Sequence, residues 1–299
     1  MNDLADLFPG FETHWIDTGQ GRFFARAKGD GPPLLLLHGY PQTHVEWHRI
    51  APALAERFRV VAMDLRGYGW SSVPPSAKGE GYAKRVMARD AIDVMQKLGA
   101  LRFHVAGHDR GGRVGCRLAL DAPERLLKLA VIDIIPTLER WEAMDSAGAM
   151  AAYHWTFLAQ PEPLPETLIG PNAVYYLNHT LASWTASKNL AAFDPRALAH
   201  YRAGFNEPNR IHAACEDYRA GAAIDRDDDA ADRAAGRKIA APLLALWGGR
   251  GLGGGGASTL DIWRRWAPKA EGRELRGGHF LPEENPDETA AALLAFFAD

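Results

Sequence analysis

The sequence predicts an α/β protein in which helices cover both faces of a mostly parallel sheet. Several short apolar runs end in glycine or turn residues, and helical patterns alternate with them along the chain. Continuous apolar strands suit a sheet that is buried on both faces. The alternation of strand and helix favours parallel strands joined by crossover helices.

The predicted elements follow in chain order. GRFFARAKG (21–29) is expected to be an antiparallel strand near the edge of the sheet. The buried strands are expected at PPLLLLHG (32–39), FRVVAMDLRG (58–67), FHVAGHDRGG (103–112), LLKLAVIDII (126–135) and APLLALWGG (241–249). Apolar residues at three-to-four spacing predict helices in 44–58 and 82–100. PDETAAALLAFFA (286–298) is a closing helix, with proline near its start and acids in its first turn.

The alternation stops between about residues 137 and 237, where Trp, Tyr, His and Pro occur among helical pieces. A helical segment inserted between two strands of one sheet would lie over the carboxyl ends of the strands, where open α/β sheets bind ligands. We therefore expect a core formed by 1–136 and 238–299 and a helical cap formed by 137–237. The glycine-rich stretch 248–258 lacks the GxxxxGK[ST] pattern and is expected to be a flexible loop.

Composition excludes several classes of function. The 299 residues are 47% apolar and 24% charged, as in ordinary globular proteins, and the net charge of -3 would not attract nucleic acid or anionic lipid. Cys116 and Cys215 lie in no CxxC pattern, so neither a disulfide framework nor a thiolate zinc site is expected. The N-terminus opens with acids, and no apolar run approaches the ~18 residues of a membrane span. We expect a cytoplasmic protein.

The stretch GHDRGGR (107–113) contains the candidate nucleophile. The pattern Gly-x-nucleophile-x-Gly forces a sharp strand-to-helix turn whose apex side chain projects into a site. Gly107, Asp109 and Gly111 occupy these positions, so Asp109 is the candidate. His108 is expected only to pack. Taken alone, the stretch leaves open that Asp109 instead caps the following helix.

A carboxylate nucleophile makes an ester, whose hydrolysis needs a base and a group that orients the base. His279 follows an expected strand and two glycines near the chain end and is the candidate base. The loop after the 241–249 strand contains no acid, so the candidate orienting acid is Asp133, at the end of the 126–135 strand. The alternatives are a structural histidine and an isolated turn aspartate. In HGYPQT (38–43), Gly39 and Tyr40 can leave a backbone N–H pointing at the turn, which with that of Arg110 would hold one oxygen of Asp109 and later the oxyanion of the ester intermediate.

HGYPQT, DLRGYGWS, GHDRGGR, the aspartate after LAVI and GGHF together resemble the Asp-nucleophile branch of the α/β-hydrolase superfamily, which includes haloalkane dehalogenases and epoxide hydrolases. With YHWTFLAQP, LASWT, CEDYRAG and GHFLPEE, the chain resembles the fluoroacetate (haloacetate) dehalogenases over essentially its whole length. The resemblance implies an α/β-hydrolase fold with an eight-stranded sheet, hydrolysis of short 2-haloacids, no cofactor and a homodimer. The implied roles are Asp109 as nucleophile, His279 as base, Asp133 as acid, Arg110 and Arg113 as carboxylate binders, and His154, Trp155 and Tyr218 as halide donors.

The residues give these roles a physical basis. Arg110 and Arg113 fall in the first turn of the expected helix, where cations oppose the macrodipole, so the pair suggests a site for a small carboxylate. The alternative is that one or both pair with acids of the inserted helices. Imidazole, indole and phenol hydrogens could hold a departing halide, although core packing is the alternative for each residue singly. Trp184 is expected to wall the pocket.

The sequence departs from the family pattern in three places, and two other functions remain as alternatives. Tyr40 stands where the family has Phe, Gly112 where Ala is common, and the glycine-rich loop is unusual. An epoxide hydrolase would use the same nucleophile with Tyr153 or Tyr218 as acid, but it leaves the arginine pair unexplained. A hydrolase-fold protein that only binds a ligand would not need the Asp-Asp-His set. The remaining histidines show no metal-ligand spacing, so no metal is expected.

Overall fold

The computed structural model describes residues 4–251 and 257–298. Within these ranges eight strands form one sheet in the order β1-β2-β4-β3-β5-β6-β7-β8. The strands are β1 Glu12–Thr18, β2 Gly21–Lys28, β3 Pro33–Leu37, β4 Arg59–Met63, β5 Phe103–His108, β6 Leu126–Ile132, β7 Leu243–Gly248 and β8 Glu271–Leu275. β2 is antiparallel to β1 and to β4, and the other neighbouring strands are parallel. The predicted fold class and eight-stranded sheet are confirmed.

The central strands are covered on both faces. Every residue of β5 and β7 is buried, and β3 and β4 are buried except at their first residue. Because successive side chains of a strand point to opposite faces, burial along the whole strand requires cover on both sides. The helices of the first part of the core are α1 Ala51–Ala55, α2 Lys84–Lys97 and α3 Asp109–Asp121.

The prediction of one helix over 44–58 is wrong. The segment forms a short 3-10 turn, His44–Trp47, followed by α1, with Pro52 in the first turn of α1. Proline lacks an N–H and therefore begins a helix more readily than it continues one. The sequence analysis also missed β1, because its residues ETHWIDT are mostly polar and only Ile16 is buried.

A continuous series of helices separates β6 from β7. They are α4 Thr137–Glu142, α5 Ser146–Ala151, α6 Tyr153–Leu158, α7 Leu164–Ile169, α8 Ala173–Trp184, α9 Pro195–Phe205, α10 Pro208–Ala222 and α11 Ile224–Ala234. We call residues 137–234 the inserted helices. Their start agrees with the predicted cap, whose status as a separate domain stays a prediction. The chain closes with α12 Ala257–Trp266, α13 Leu281–Glu284 and α14 Pro286–Ala298.

The glycine-rich loop falls largely outside the described residues, so the prediction of a flexible loop there stays untested beyond Gly251. In the described part of the chain, no helix combines the length and the apolar character that crossing a membrane requires.

Candidate active site

The turn between β5 and α3 places Asp109 at its apex. Asp109 has a φ of 43°, in the left-handed region that residues with a Cβ rarely adopt. A Cβ on Gly107 would lie 2.5 Å from the carbonyl oxygen of Gly111, and one on Gly111 would lie 2.2 Å from that of Leu37. The two glycines are therefore required for the turn to pack against its own helix and against β3.

The Asp109 carboxylate is buried and faces the loop that follows β3. The backbone N–H of Tyr40 donates to its Oδ1 at 2.9 Å. No described hydrogen bond joins this side chain to an N–H of α3, so the helix-cap alternative is not what the structure shows. The predicted hydrogen bond from the Arg110 N–H to this carboxylate is likewise not among the described contacts, and its later role toward the oxyanion of the ester stays a prediction.

The pKa of Asp109 lies below its usual value. Burial alone would raise this pKa, but the electrostatic influence of the His279 imidazole and of the Arg110 guanidinium outweighs it. The carboxylate is therefore ionised at neutral pH, as a nucleophile must be.

His279 contacts an acid through one ring nitrogen and no hydrogen-bond partner among the described residues through the other. Its Nδ1 is 2.6 Å from Oδ2 of Asp133, whose Oδ1 accepts the N–H of Gly248 at 3.0 Å. Because a carboxylate accepts, Nδ1 carries the hydrogen and Nε2 keeps a lone pair. Nε2 is buried and has no hydrogen-bond partner among the described residues. The histidine is thus oriented to take a proton through Nε2.

The acid of this pair lies after β6, and β7 and its loop pack around it. A Cβ at Gly251, the last residue described before the gap, would lie 2.1 Å from Oδ1 of Asp133. The Asp133 N–H donates to the carbonyl oxygen of Leu246 on β7 at 2.7 Å. The described residues Gly248 and Gly251, at the end of β7 and just after it, therefore approach the acid with backbone.

The two arginines of α3 differ in their partners. The Nε and Nη2 groups of Arg110 donate to Oδ1 of Asp217 on α10 at 3.0 and 2.7 Å. Arg113 Nη1 donates to the carbonyl oxygen of Ile135 and to Oγ1 of Thr137, both at 3.0 Å. The predicted alternative, pairing with an acid of the inserted helices, therefore holds for Arg110; no described acid forms an ion pair with Arg113.

Both guanidiniums also keep unused hydrogens. Nη1 of Arg110 and Nε of Arg113 are buried without a hydrogen-bond partner among the described residues. Burial and the charge of Arg110 lower the pKa of Arg113 to about 10, which still leaves it cationic at neutral pH. Each arginine can therefore donate further to an anion.

Aromatic side chains of the inserted helices lie against the arginines and the base. The guanidinium carbon of Arg110 is 4.1 Å from the ring centre of Tyr218, and that of Arg113 is 4.6 Å from that of Trp155. The His154 ring centre is 4.3 Å from that of Trp184, which in turn is 5.3 Å from that of His279. The predicted halide donors and Trp184 thus lie together beside the two arginines and His279.

His154 is a neutral donor in this position. Burial lowers its pKa well below the usual value, more strongly than the charge of Asp109 raises it. Its Nδ1 is buried and has no partner within the described structure. A neutral imidazole and the phenol of Tyr218, whose pKa burial raises, both keep their hydrogens at neutral pH.

Sequence reasoning missed two buried charged groups at the site. Asp217 accepts hydrogen bonds from Arg110, from the Tyr68 hydroxyl at 2.8 Å and from Lys84. His108, expected only to pack, has its Nδ1 3.1 Å from Oε2 of Glu46 and its Nε2 3.0 Å from the carbonyl oxygen of His279. The expectation that His108 only packs is therefore wrong. No local pattern in the sequence marks Asp217 or Glu46 as part of the site.

Metal ligands are not clustered in the described part of the chain: no group of three or more His, Cys, Asp or Glu side chains there is arranged to hold an ion.

Comparison with known proteins assigns the family. A family model described as the alpha/beta hydrolase fold matches residues 32–286. A fluoroacetate dehalogenase from Burkholderia sp is 43% identical over 98% of this chain and 96% of its own length. The chain belongs to the fluoroacetate (haloacetate) dehalogenase family of the α/β-hydrolase superfamily. As a member of this superfamily it is a hydrolase.

Other proteins similar to this member of the dehalogenase family are named as epoxide hydrolases or as an alpha/beta hydrolase. A soluble epoxide hydrolase from Corynebacterium sp. (strain C12) is 32% identical over 98% of the chain and 96% of its own length. A solved structure from Nostoc sp PCC 7120, named as an alpha/beta hydrolase, is 52% identical, with a TM-score of 0.93 over 96% of this chain and 98% of that one. A mutant from Pseudomonas aeruginosa, named as an epoxide hydrolase and solved with bound MFA, is 46% identical, with a TM-score of 0.92 over 98% of each chain.

Proposed function

We propose that the chain hydrolyses short 2-haloacids and converts fluoroacetate or another haloacetate to glycolate and halide. The observation that carries the proposal is a buried, ionised carboxylate next to two cationic guanidiniums that retain unused hydrogens. A small acid with a leaving group needs both a nucleophile at its carbon and cations at its carboxylate. The 43% identity to a fluoroacetate dehalogenase supports the same reading.

The first step is displacement at carbon. Tyr40 holds Oδ1 of Asp109, and a carboxylate oxygen attacks the carbon that carries the halogen while Arg110 and Arg113 bind the substrate carboxylate. A carbon–oxygen ester bond forms, the carbon–halogen bond breaks, and its electron pair leaves with the halide. His154, Trp155 and Tyr218 then donate hydrogens to the halide in place of water.

The second step is hydrolysis of the ester. Nε2 of His279 takes a proton from water, the resulting hydroxide adds to the ester carbonyl of Asp109, and Asp133 stabilises the imidazolium. The Tyr40 N–H, with the predicted contribution of the Arg110 N–H, stabilises the oxyanion. Collapse breaks the bond to the glycolate oxygen, which receives the proton from His279. The second proton of the water, left on the new Asp109 carboxyl, is lost to solvent, which restores the carboxylate.

A single turnover in heavy-oxygen water tests the covalent route. Because water attacks the carbonyl of Asp109, the label should appear in the Asp109 carboxylate, as measured by mass spectrometry of the peptide that contains it. Label found only in glycolate would refute the route. Asp109→Ala should abolish halide release while the protein remains folded.

Epoxide hydrolysis is the second candidate, supported by the 32% identity to a soluble epoxide hydrolase and by the buried phenol of Tyr218. Tyr218 makes no described hydrogen bond and could protonate an opening ring, although the arginine pair then has no role. Halide release from fluoroacetate and chloroacetate, measured beside diol formation from a panel of small epoxides, decides between the two. Failure with every substrate would favour a protein that only binds a ligand.

A further inference from the structure

The turn that carries Asp109 also carries a buried hydrogen-bonded group that the proposed steps do not use. Nδ1 of His108 lies 3.1 Å from Oε2 of Glu46, and its Nε2 lies 3.0 Å from the carbonyl oxygen of His279. The same Oε2 accepts the N–H of Gly39 at 3.2 Å. One imidazole and one carboxylate therefore connect the nucleophile turn, the loop after β3 and the loop after β8.

These contacts are the ones that a cationic His108 would make. A carbonyl oxygen can only accept, so Nε2 of His108 carries a hydrogen. The other nitrogen faces the Glu46 carboxylate, which also accepts, so Nδ1 carries a hydrogen as well. An imidazole protonated on both nitrogens is a cation, and His108 with Glu46 then forms an ion pair whose side chains are both 0% exposed.

The surroundings of His108 favour the cation. Burial alone would lower the pKa of His108, but the charge and hydrogen bond of Glu46 outweigh it, followed by the charges of Asp109 and Asp133, and the pKa rises to about 9. These acids approach from the loop after β3, from the turn itself and from the end of β6. The ring of His279, on the fourth side, has its centre 4.6 Å away.

We propose that Glu46 and His108 form a buried ion pair that positions the base and the oxyanion donor for ester hydrolysis; this inference rests on the proposed function. The pair reaches the base through the backbone of His279 and the oxyanion donor through Gly39, the neighbour of Tyr40. The base acts only after the ester has formed. The Tyr40 N–H already holds Oδ1 of Asp109 before the attack, but it stabilises an oxyanion only in the second step.

The positive charge of His108 also favours the second step. In the second step the ester carbonyl of Asp109 becomes an oxyanion, and a fixed cation on the preceding residue stabilises that negative charge. The base must become cationic at the same time, next to His108. Asp133, 2.6 Å from Nδ1 of His279, supplies the opposing negative charge.

Three substitutions separate the contacts. His108→Asn places an amide near Nδ1 and keeps the Glu46 contact, whereas His108→Gln places one near Nε2 and keeps the contact with the His279 carbonyl. Glu46→Gln keeps an oxygen acceptor for Gly39 and His108 and removes only the charge. His104→Gln is the matched control, because this buried histidine on the same strand packs against Phe58 and Phe297, away from the site.

Rapid-quench kinetics with chloroacetate measure the two steps separately. We expect each His108 substitution and Glu46→Gln to slow ester hydrolysis by ~10- to 100-fold, as small misplacements of catalytic groups do. Ester formation should change by less than about threefold, so carboxymethylated Asp109 accumulates in the steady state and is visible by intact-protein mass spectrometry. The control should behave as the wild type. Equal slowing of both steps, or unchanged hydrolysis, would overturn the proposal.

A second measurement does not depend on turnover. In protein with ring-labelled histidines, the nitrogen signals of His108 are assigned by their loss in His108→Gln. Between pH ~6.5, the usual histidine value, and the raised value of about 9, both nitrogens should carry a proton in the wild type, and one should lose it in Glu46→Gln. A bare ring nitrogen in the wild type would contradict the ion pair. If the wild type forms no ester from any haloacid, the proposed function fails while this measurement still decides the ion pair.

Discussion

At the scale of single residues, Arg113 offers the cleaner test of carboxylate recognition, because Arg110 is also tied to Asp217. Arg113→Met keeps an apolar stem against Trp155 and removes the charge. We expect kcat/KM for chloroacetate to fall by about 10- to 100-fold, since a hydrogen bond to a charged group contributes roughly 1.5–3 kcal/mol. Chloroacetamide, which lacks the carboxylate, should be affected far less. An equal loss with both substrates would count against the carboxylate-binding role.

His279 provides a test of the two-step route. His279→Gln removes the proposed base and leaves Asp109, the arginines and the proposed halide donors in place. Halide should be released once per active site and then stop, because loss of a general base slows hydrolysis by about 10²- to 10⁴-fold. The trapped ester is measured as carboxymethylated Asp109 by mass spectrometry. Continued turnover would show that water does not depend on His279.

Glu283 makes folding stability depend on pH. It is buried and accepts the Tyr201 hydroxyl at 2.5 Å, and burial raises its pKa to about 8. Above the unfolded pKa of about 4.3 the unfolded chain ionises while the folded carboxyl stays protonated, so this group destabilises the fold increasingly until pH ~8. Glu283→Gln keeps a hydrogen donor where the protonated acid has one and removes that dependence.

We expect this variant to be more stable than the wild type at pH 8 by on the order of 1–3 kcal/mol and nearly equal to it at pH 5. Urea unfolding at the two pH values measures the difference. A stability gap that is the same at both pH values would mean that Glu283 is ionised in the folded protein.

At the scale of elements, the turn between β5 and α3 tolerates no side chain at Gly111. Gly111→Ala would bring a Cβ to 2.2 Å from the Leu37 carbonyl oxygen and push the turn away from β3. We expect a loss of about 1–3 kcal/mol of unfolding free energy, as for other overpacked sites, together with loss of activity. Gly204→Ala, in α9 with open space around it, is the control and should be neutral or slightly stabilising. Denaturant unfolding of both variants measures the contrast.

The elements that could be predicted from the sequence are those whose signal is local. Continuous apolar runs mark the buried strands, and a glycine-flanked turn marks Asp109. β1 could not be found this way, since its stability comes from pairing with β2. The acids that bind Arg110 and His108 could not be predicted either, because they are distant in sequence. Asp217 lies 107 positions from Arg110, and Glu46 lies 62 positions from His108. Such contacts depend on the whole topology.

At the scale of the molecule, a homodimer stays a prediction, and the inserted helices offer a surface for it. Large apolar side chains are exposed there, among them Met150, Leu168 and Tyr175, at 80%, 57% and 73%. Leu168 and Tyr175 line one surface groove, and contiguous exposed apolar surface usually marks an interaction site. We expect sedimentation velocity to show a dimer that Leu168→Glu dissociates into monomers, whereas Glu at exposed Leu101, outside these helices, should not. A monomeric wild type would contradict this prediction.

The burial of the site has a consequence for how substrates are chosen. Asp109, Arg110, Arg113 and His279 are each less than a tenth exposed, and side chains of the inserted helices pack on the arginines and the base. We expect a substrate to reach Asp109 only when these helices move away from the core, so that its size is limited before any bond breaks. If the proposed function holds, we expect passage, not bond cleavage, to limit the turnover of the most reactive haloacids. Turnover of such acids should slow as solvent viscosity increases, while that of fluoroacetate should not.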